Sequence, residues 1–316
     1  MAADMIETRV RTIGEPVEEN LRTQVARGDD LARSVQPILR HLLGSENSTL
    51  FTDEILARIR GMQGHLARQL LAVCGTGRDS GAGADPVLQL ALAQGFSDRS
   101  SILAHLHALA LEWQLAMRME QHFVVDPVVS PLLQALISSP DAETQDLAMK
   151  FLAAQARWCQ SQRRMQVSVA ELPAEVLHDA LQVHRSVCID VAGGAETVTR
   201  AAHVESASRL GLAARLVTKM GNAAQVALDL RHGGSALFAT ALGLGSGQAH
   251  DAVILSMHEG QATRLALELR SAGLSAAAVG QQLLLLHGES KLPEGFDRLG
   301  AEHAAAILTD AHNAQR

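Results

Sequence analysis

The stretch FTDEILARIRGMQGHLARQLLAVCG, residues 51–75, places Ile55, Ile59, Met62, Leu66, Leu70 and Val73 at steps of three and four. That spacing lines one face of a helix with 3.6 residues per turn. Gly75 follows as a stop, so the pattern predicts a helix over 52–74. Working outward, the same Leu- and Ala-rich pattern recurs along the chain, opened by capping residues and closed by glycine. Almost nothing reads as a strand. The fold class expected is all-α, built as stacked antiparallel helical hairpins, solenoid-like, with a helical N-terminal section.

Composition agrees. Of 316 residues, 47% are hydrophobic and 19% charged, which suits a globular core. Aromatics are only 3% and tyrosine is absent, so the core must be made from Leu, Ala, Val, Ile and Met, which favour closely packed helices. A net charge of −7 gives no general attraction for nucleic acid or anionic lipid. Arg157, Arg163 and Arg164 cluster, but without interleaved aromatics they read as a solvated helix end. Cys74, Cys159 and Cys188 form no Cys-x-x-Cys pair and suit a reducing compartment. Residues 1–30 hold no signal-like apolar run, and stretches such as Leu283–Leu286 are too short to span a bilayer. The expectation is a soluble cytoplasmic protein.

Glycines and prolines set the expected boundaries. Residues 1–27 read as a polar arm interrupted by Gly14 and Pro16. A helix over 30–43, capped by Asp29 or Asp30 and bent at Pro37, pairs with the 52–74 helix in a hairpin over 28–74. The segment 75–85 is a glycine-rich connector, lacking the lysine and preceding strand of a phosphate-binding loop. A central unit over 86–190 and a repeat unit over 195–316 follow. Asp85-Pro86, Asp126-Pro127 and Ser139-Pro140 mark helix starts, with an acceptor before a proline whose missing N–H costs nothing there. Two helices carry the clearest stripes, one with Ile102, Leu106, Leu109, Trp113 and Met117, the other with Leu147, Phe151, Ala154 and Trp158. Residues 165–172 alternate briefly and read as an extended connector. His232-Gly233-Gly234, His258-Glu259-Gly260 and Leu286-His287-Gly288 form a weak repeat, each expected to open a helix.

Fourteen histidines raise the question of a metal, but no two are spaced three or four apart as ligands on one helix face require. His105 and His107 point to different faces, and histidines are expected at helix edges and turns. Gly243-Leu244-Gly245-Ser246-Gly247 imitates part of a dinucleotide fingerprint but follows the end of a helix at Phe238–Leu242 instead of a strand, and is expected to be a loop. A phosphotransfer histidine is the sharpest chemical reading. His65 lies about 100° from the centre of its apolar stripe, a flank position, and Arg68 follows one turn later to offset phosphate charge. His178-Asp179 is a second candidate, the acid standing by as a base.

The run Ala153-Ala154-Gln155-Ala156-Arg157-Trp158-Cys159-Gln160-Ser161-Gln162-Arg163-Arg164-Met165, with Glu171-Leu172-Pro173 and His178, resembles an alphaproteobacterial domain of unknown function with HEAT-like helical repeats. The later run Leu265–Leu274 carries the same resemblance, which covers about 140–290. Ser139-Pro140-Asp141-Ala142-Glu143 is similar to a HEAT-repeat helix entry, with Thr144-Gln145 where Val-Arg is usual. The resemblance implies a helical-repeat fold and brings no catalytic residues.

Three functions follow as expectations. The first is a non-enzymatic scaffold or regulatory adaptor that binds another protein, without cofactor, metal, nucleic acid or membrane, and compatible with a homo-oligomer. The second is a phosphotransfer module using His65 and Arg68. The third is a small-molecule binder or enzyme with a pocket between helices.

Overall fold

The helices Pro86–Ser97, Pro131–Ile137, Ala142–Arg163, Leu230–Ser246 and Ala276–His287 are each started by an Asp or Ser side chain that accepts a free N–H, and an apolar face turned inward holds them. The computed structural model describes residues 2–44, 53–73, 85–188, 192–288 and 292–313. Fourteen α-helices occur among them, with no strand. In chain order these are α1 (Ala2–Gly44), α2 (Asp53–Val73), α3 (Pro86–Ser97), α4 (Ser100–Phe123), α5 (Pro131–Ile137), α6 (Ala142–Arg163) and α7 (Ala174–Val187). Then come α8 (Ala192–Ala202), α9 (Arg209–Met220), α10 (Leu230–Ser246), α11 (His250–Ser256), α12 (Ala262–Ser271), α13 (Ala276–His287) and α14 (Ala301–Asn313). The predicted all-α class is observed.

The helices sort into two compact units, one of residues 35–219, the other of residues 1–34 with 220–316. This division differs from the expected one. The 28–74 hairpin is split within α1, the whole 86–190 segment joins α2 in one unit, and residues 195–219 belong there too. The first 27 residues are no loose arm. Helix α1 runs through Gly14, Pro16 and Pro37. Leu21 and Val25, one turn apart, are fully buried, and Asp29, the expected cap, is instead a buried mid-helix side chain paired with Arg264. The connector at 75–84 lies outside the described residues.

In the 35–219 unit the core is made where the sequence placed it. Ile55, Ile59, Met62, Leu66 and Leu70 of α2 are buried together with Leu92 and Phe96 of α3, Ile102, Leu106 and Leu109 of α4, and Leu177 and Leu181 of α7. Val73, the last residue of the predicted stripe, is exposed at the helix end instead. Close packing depends on a missing side chain at Gly61, where a Cβ would stand 2.7 Å from Met165 Cβ and 2.8 Å from its carbonyl oxygen.

The caps follow their chemistry with two shifts of place. Asp85 caps α3 by accepting from Val87 N–H, with Pro86 in the first turn. At Asp126-Pro127 no helix begins. Asp126 accepts from Val128 and Val129 N–H in a local turn, and α5 starts at Pro131 under Ser130. The cap of α6 is Asp141, not Ser139, whose hydroxyl accepts from Asp141 N–H. Residues 169–171 form a single 3-10 turn inside the expected connector.

In the other unit the weak repeat resolves into three different devices. Gly234, at φ +69°, breaks α10 after its first turn. Glu259–Gln261 forms a 3-10 turn leading into α12. His287-Gly288 ends α13, with Gly288 as its left-handed cap, so the third copy closes a helix where it was expected to open one. Gly243–Ser246 is the last turn of α10 and Gly247 its left-handed cap, so the helix runs on through a stretch expected to be a loop.

Candidate functional site

His65 sits half-buried on α2 and is oriented by the turn at 167–169. Its Nδ1 is 2.7 Å from the carbonyl oxygen of Val167. Gln69, one turn on, donates from Nε2 to the same oxygen at 2.8 Å, while its Oε1 accepts from Val169 N–H at 3.1 Å. Gln69 Nε2 also stands 2.8 Å from His65 Nδ1 itself, so Nδ1 is held between an amide that donates and a carbonyl that accepts, and these contacts suit a hydrogen on either ring nitrogen. Turning the Gln69 amide over would set its Nε2 against Val169 N–H, so the network fixes the amide. Arg68 is exposed on the adjacent face, and no hydrogen bond joins it to His65 among the described residues.

His178 is differently placed. Its Nδ1 lies 3.0 Å from the Arg200 guanidinium and its Nε2 2.7 Å from the Gln182 side-chain amide, so both ring nitrogens are engaged. Asp179 accepts from Ser101 instead of turning to the histidine. The acid–base pairing expected of these neighbours is not assembled. His105, His107 and His184 are buried within helices, not set at edges or turns. Burial lowers the pKa of His184 and so keeps its ring neutral. Among the described residues no group of three metal-ligating side chains converges.

The largest polar constellation went unforeseen. Arg209, at the start of α9, is buried and donates to both oxygens of Glu112 on α4, at 2.6 and 2.7 Å. Its guanidinium also lies 4.3 Å from the ring centre of Trp158. Trp158 meets Trp113 edge to face at 5.9 Å, and Arg58 covers Trp113 at 5.1 Å. The row Arg58–Trp113–Trp158–Arg209 alternates cation and ring, an attractive order because each cation faces a ring's negative quadrupole. Both cations are neutralised, Arg58 by Glu54 and Arg209 by Glu112. Glu171 completes the local wiring by accepting from Arg209 N–H at 2.6 Å. Beside it, burial pushes the Cys159 thiol up to about 12, which removes it as a nucleophile. Every ionised group here is matched by another within the protein, which is the signature of a structural core.

On the outer side of the same unit, α3 carries no charged residue at all. Its inner face buries Leu92 and Phe96 completely. Its outer face leaves Val87 74% and Leu90 60% exposed, three positions apart and so on one side of the helix. No helix among the described residues is long and apolar enough to cross a membrane. No family model, curated protein or solved structure matches this chain.

Proposed function

We propose that this chain is a non-enzymatic helical adaptor of the cytoplasm, its helices stacked as hairpins in the HEAT-like manner, and that α3 presents the surface that receives another protein. The observation that carries the reading is the outer face of α3. Ordinary surface helices alternate charge with apolar contact. This one is charge-free and exposes two branched aliphatic side chains at one-turn spacing. The partner fitted to it offers an apolar helical face of its own. Packing between successive helices, α2 with α3, α5 with α6, α10 with α11 and α12 with α13, supports the hairpin reading. The interior ion pairs support a structural role for the charged groups that are not on the surface. A photo-crosslinking residue placed at Leu90 should trap one discrete protein in cells, and the same residue at exposed Glu302 should not. Identical adducts from both positions would refute the docking role of α3.

A second reading has its own support. His65 is half-buried, its Nδ1 engaged by the Val167 carbonyl and the Gln69 amide, so Nε2 is the nitrogen open to a phosphoryl group, with exposed Arg68 one turn away. Incubation with phosphorylated response-regulator receivers should then label the wild type and spare His65→Gln. Equal labelling of the two, or none of either, removes this reading.

A further inference from the structure

Helix α12 turns two ionisable side chains inward, one helical turn apart. Arg264 donates from Nε at 2.9 Å and from Nη2 at 2.7 Å to the same oxygen of Asp29 on α1. Glu268 is completely buried and stands 2.5 Å from the hydroxyl of Ser256 on α11. That hydroxyl has one hydrogen for two acceptors, the Glu268 oxygen and the Val253 carbonyl 2.8 Å away. A proton on the Glu268 carboxyl satisfies both contacts, because the acid then donates to the hydroxyl and the hydroxyl to Val253. The other oxygen of Glu268 has no hydrogen-bond partner and lies 4.0 Å from Arg264 Nη1. One cation, one anion and one neutral acid make a balanced set. Ionisation of the acid would add a second anion competing for a single guanidinium.

The groups that face Glu268 are few. Asp29 comes from α1, Ser256 from α11 and Arg264 from α12 itself. Helices α10, α13 and α14 also pack against α12. On α13 His287, in the last turn, has both ring nitrogens buried; on α10 His232 is half-buried and Arg231 exposed, and on α14 Glu302, His303 and Asp310 are exposed. Arg270, further along α12, is taken by the carbonyls of Leu299 and Leu274. Burial, opposed by Ser256 and Arg264, pushes the Glu268 carboxyl up to about 8. What the pair controls is the seat of α1. Besides Asp29, this stretch is fastened by Gln261 donating to the Gly28 carbonyl and by Thr263 donating to Gln24 at 2.7 Å.

We propose that Glu268 works as a proton-held latch on α1: protonated, it leaves Arg264 to Asp29 and keeps the Gln24–Asp29 stretch docked on α12; ionised, it draws on Arg264 and α1 loosens. The sign follows from the two states. Closed, the carboxyl holds its proton up to about pH 8; opened to water, it releases it near the ordinary 4.5. Opening is then coupled to loss of one proton, and it becomes about tenfold easier per pH unit across that interval and levels off above it.

Amide hydrogen exchange of residues 21–31, read by mass spectrometry in wild type and Glu268→Gln from about pH 5 to 9, tests the latch. Glutamine keeps the shape and donates to Ser256 without a titrating proton. The protection ratio of variant to wild type should climb about tenfold per pH unit and then flatten near 8. A ratio that stays constant over the range overturns the proposal. If the variant does not fold, the wild-type infrared spectrum decides. A protonated-carboxyl band persisting at pH 7 and vanishing near 8 supports the latch, and its loss below pH 6 overturns it.

Discussion

Arg209 and Glu112 meet 97 positions apart in sequence as a doubly hydrogen-bonded ion pair with side chains only 2% and 0% exposed. The pair ties α9 to α4, and the Trp158 ring roofs the guanidinium. Both charges are taken out of water, and each oxygen of Glu112 receives its own guanidinium nitrogen. Removing one partner should therefore cost far more than the pair is worth in sum. Glu112→Gln is expected to lose about 3–5 kcal/mol in urea unfolding. The double variant Glu112→Leu with Arg209→Met should recover much of that loss, because it removes both desolvated charges. A single variant that unfolds within about 0.5 kcal/mol of wild type would show the pair to be solvated in practice.

Val124 ends α4 at φ +56°, a left-handed conformation that β-branched residues avoid, with its side chain 89% exposed. Nothing in its contacts repays the strain. Val124→Gly should raise stability by about 0.5–1 kcal/mol, a gain reduced by glycine's greater freedom when unfolded. Thermal melting of the two proteins checks this, and a lower melting temperature in the variant would count against it.

At Gly61 the expectation reverses. Alanine favours helix by about 1 kcal/mol over glycine in an open position. Here the new methyl would press on the backbone of Met165, which is held by its own N–H to the Gln162 carbonyl. Gly61→Ala should destabilise by about 1–3 kcal/mol in denaturant titration. Stabilisation instead would mean that the 165 turn gives way freely.

Asp141 caps α6, and hydrogen bonds from Thr144 and Lys219 lower its carboxyl to about 2 from an ordinary 3.8. A depressed carboxylate stabilises the fold at pH values above its unfolded pKa, and that contribution fades as pH falls from about 4 to 2. Asp141→Asn should melt earlier than wild type at pH 6, with the gap closing as the pH approaches 2. A gap independent of pH would place the contribution of Asp141 elsewhere.

How much of this was written in the sequence depends on how far apart the interacting residues lie. Stripes such as Ile55–Leu70 and Ile102–Trp113 are local, and burial follows them closely. Asp85 satisfies a helix N-terminus by local chemistry and can be read so, whereas at α6 the Ser-Pro pair draws the cap to Ser139, two residues before the Asp141 that supplies it. The N-terminal part of α1 misled because Gly14 and Pro16 announce a break, while Leu21 and Val25 are too sparse to announce a core. What seats α1 is contact with residues more than two hundred positions away, through Arg264, Gln261 and Thr263. The same distance hides the Arg209–Glu112 pair, since a buried arginine carries no local mark. His65 was legible as a flank residue. Its tether to Val167, 102 positions on, was not, and that tether decides which nitrogen is engaged inside the protein.

The adaptor reading rests on the outward face of α3, and it is tested most directly by what the protein carries out of cells. Val87→Glu with Leu90→Glu places two charges on that face while leaving buried Leu92 and Phe96 untouched. Wild type and variant should have the same circular dichroism and melting temperature. A protein that copurifies with wild type at fixed stoichiometry should fall at least tenfold in the variant. Undiminished copurification by the folded variant would contradict the assignment of α3 as the docking surface.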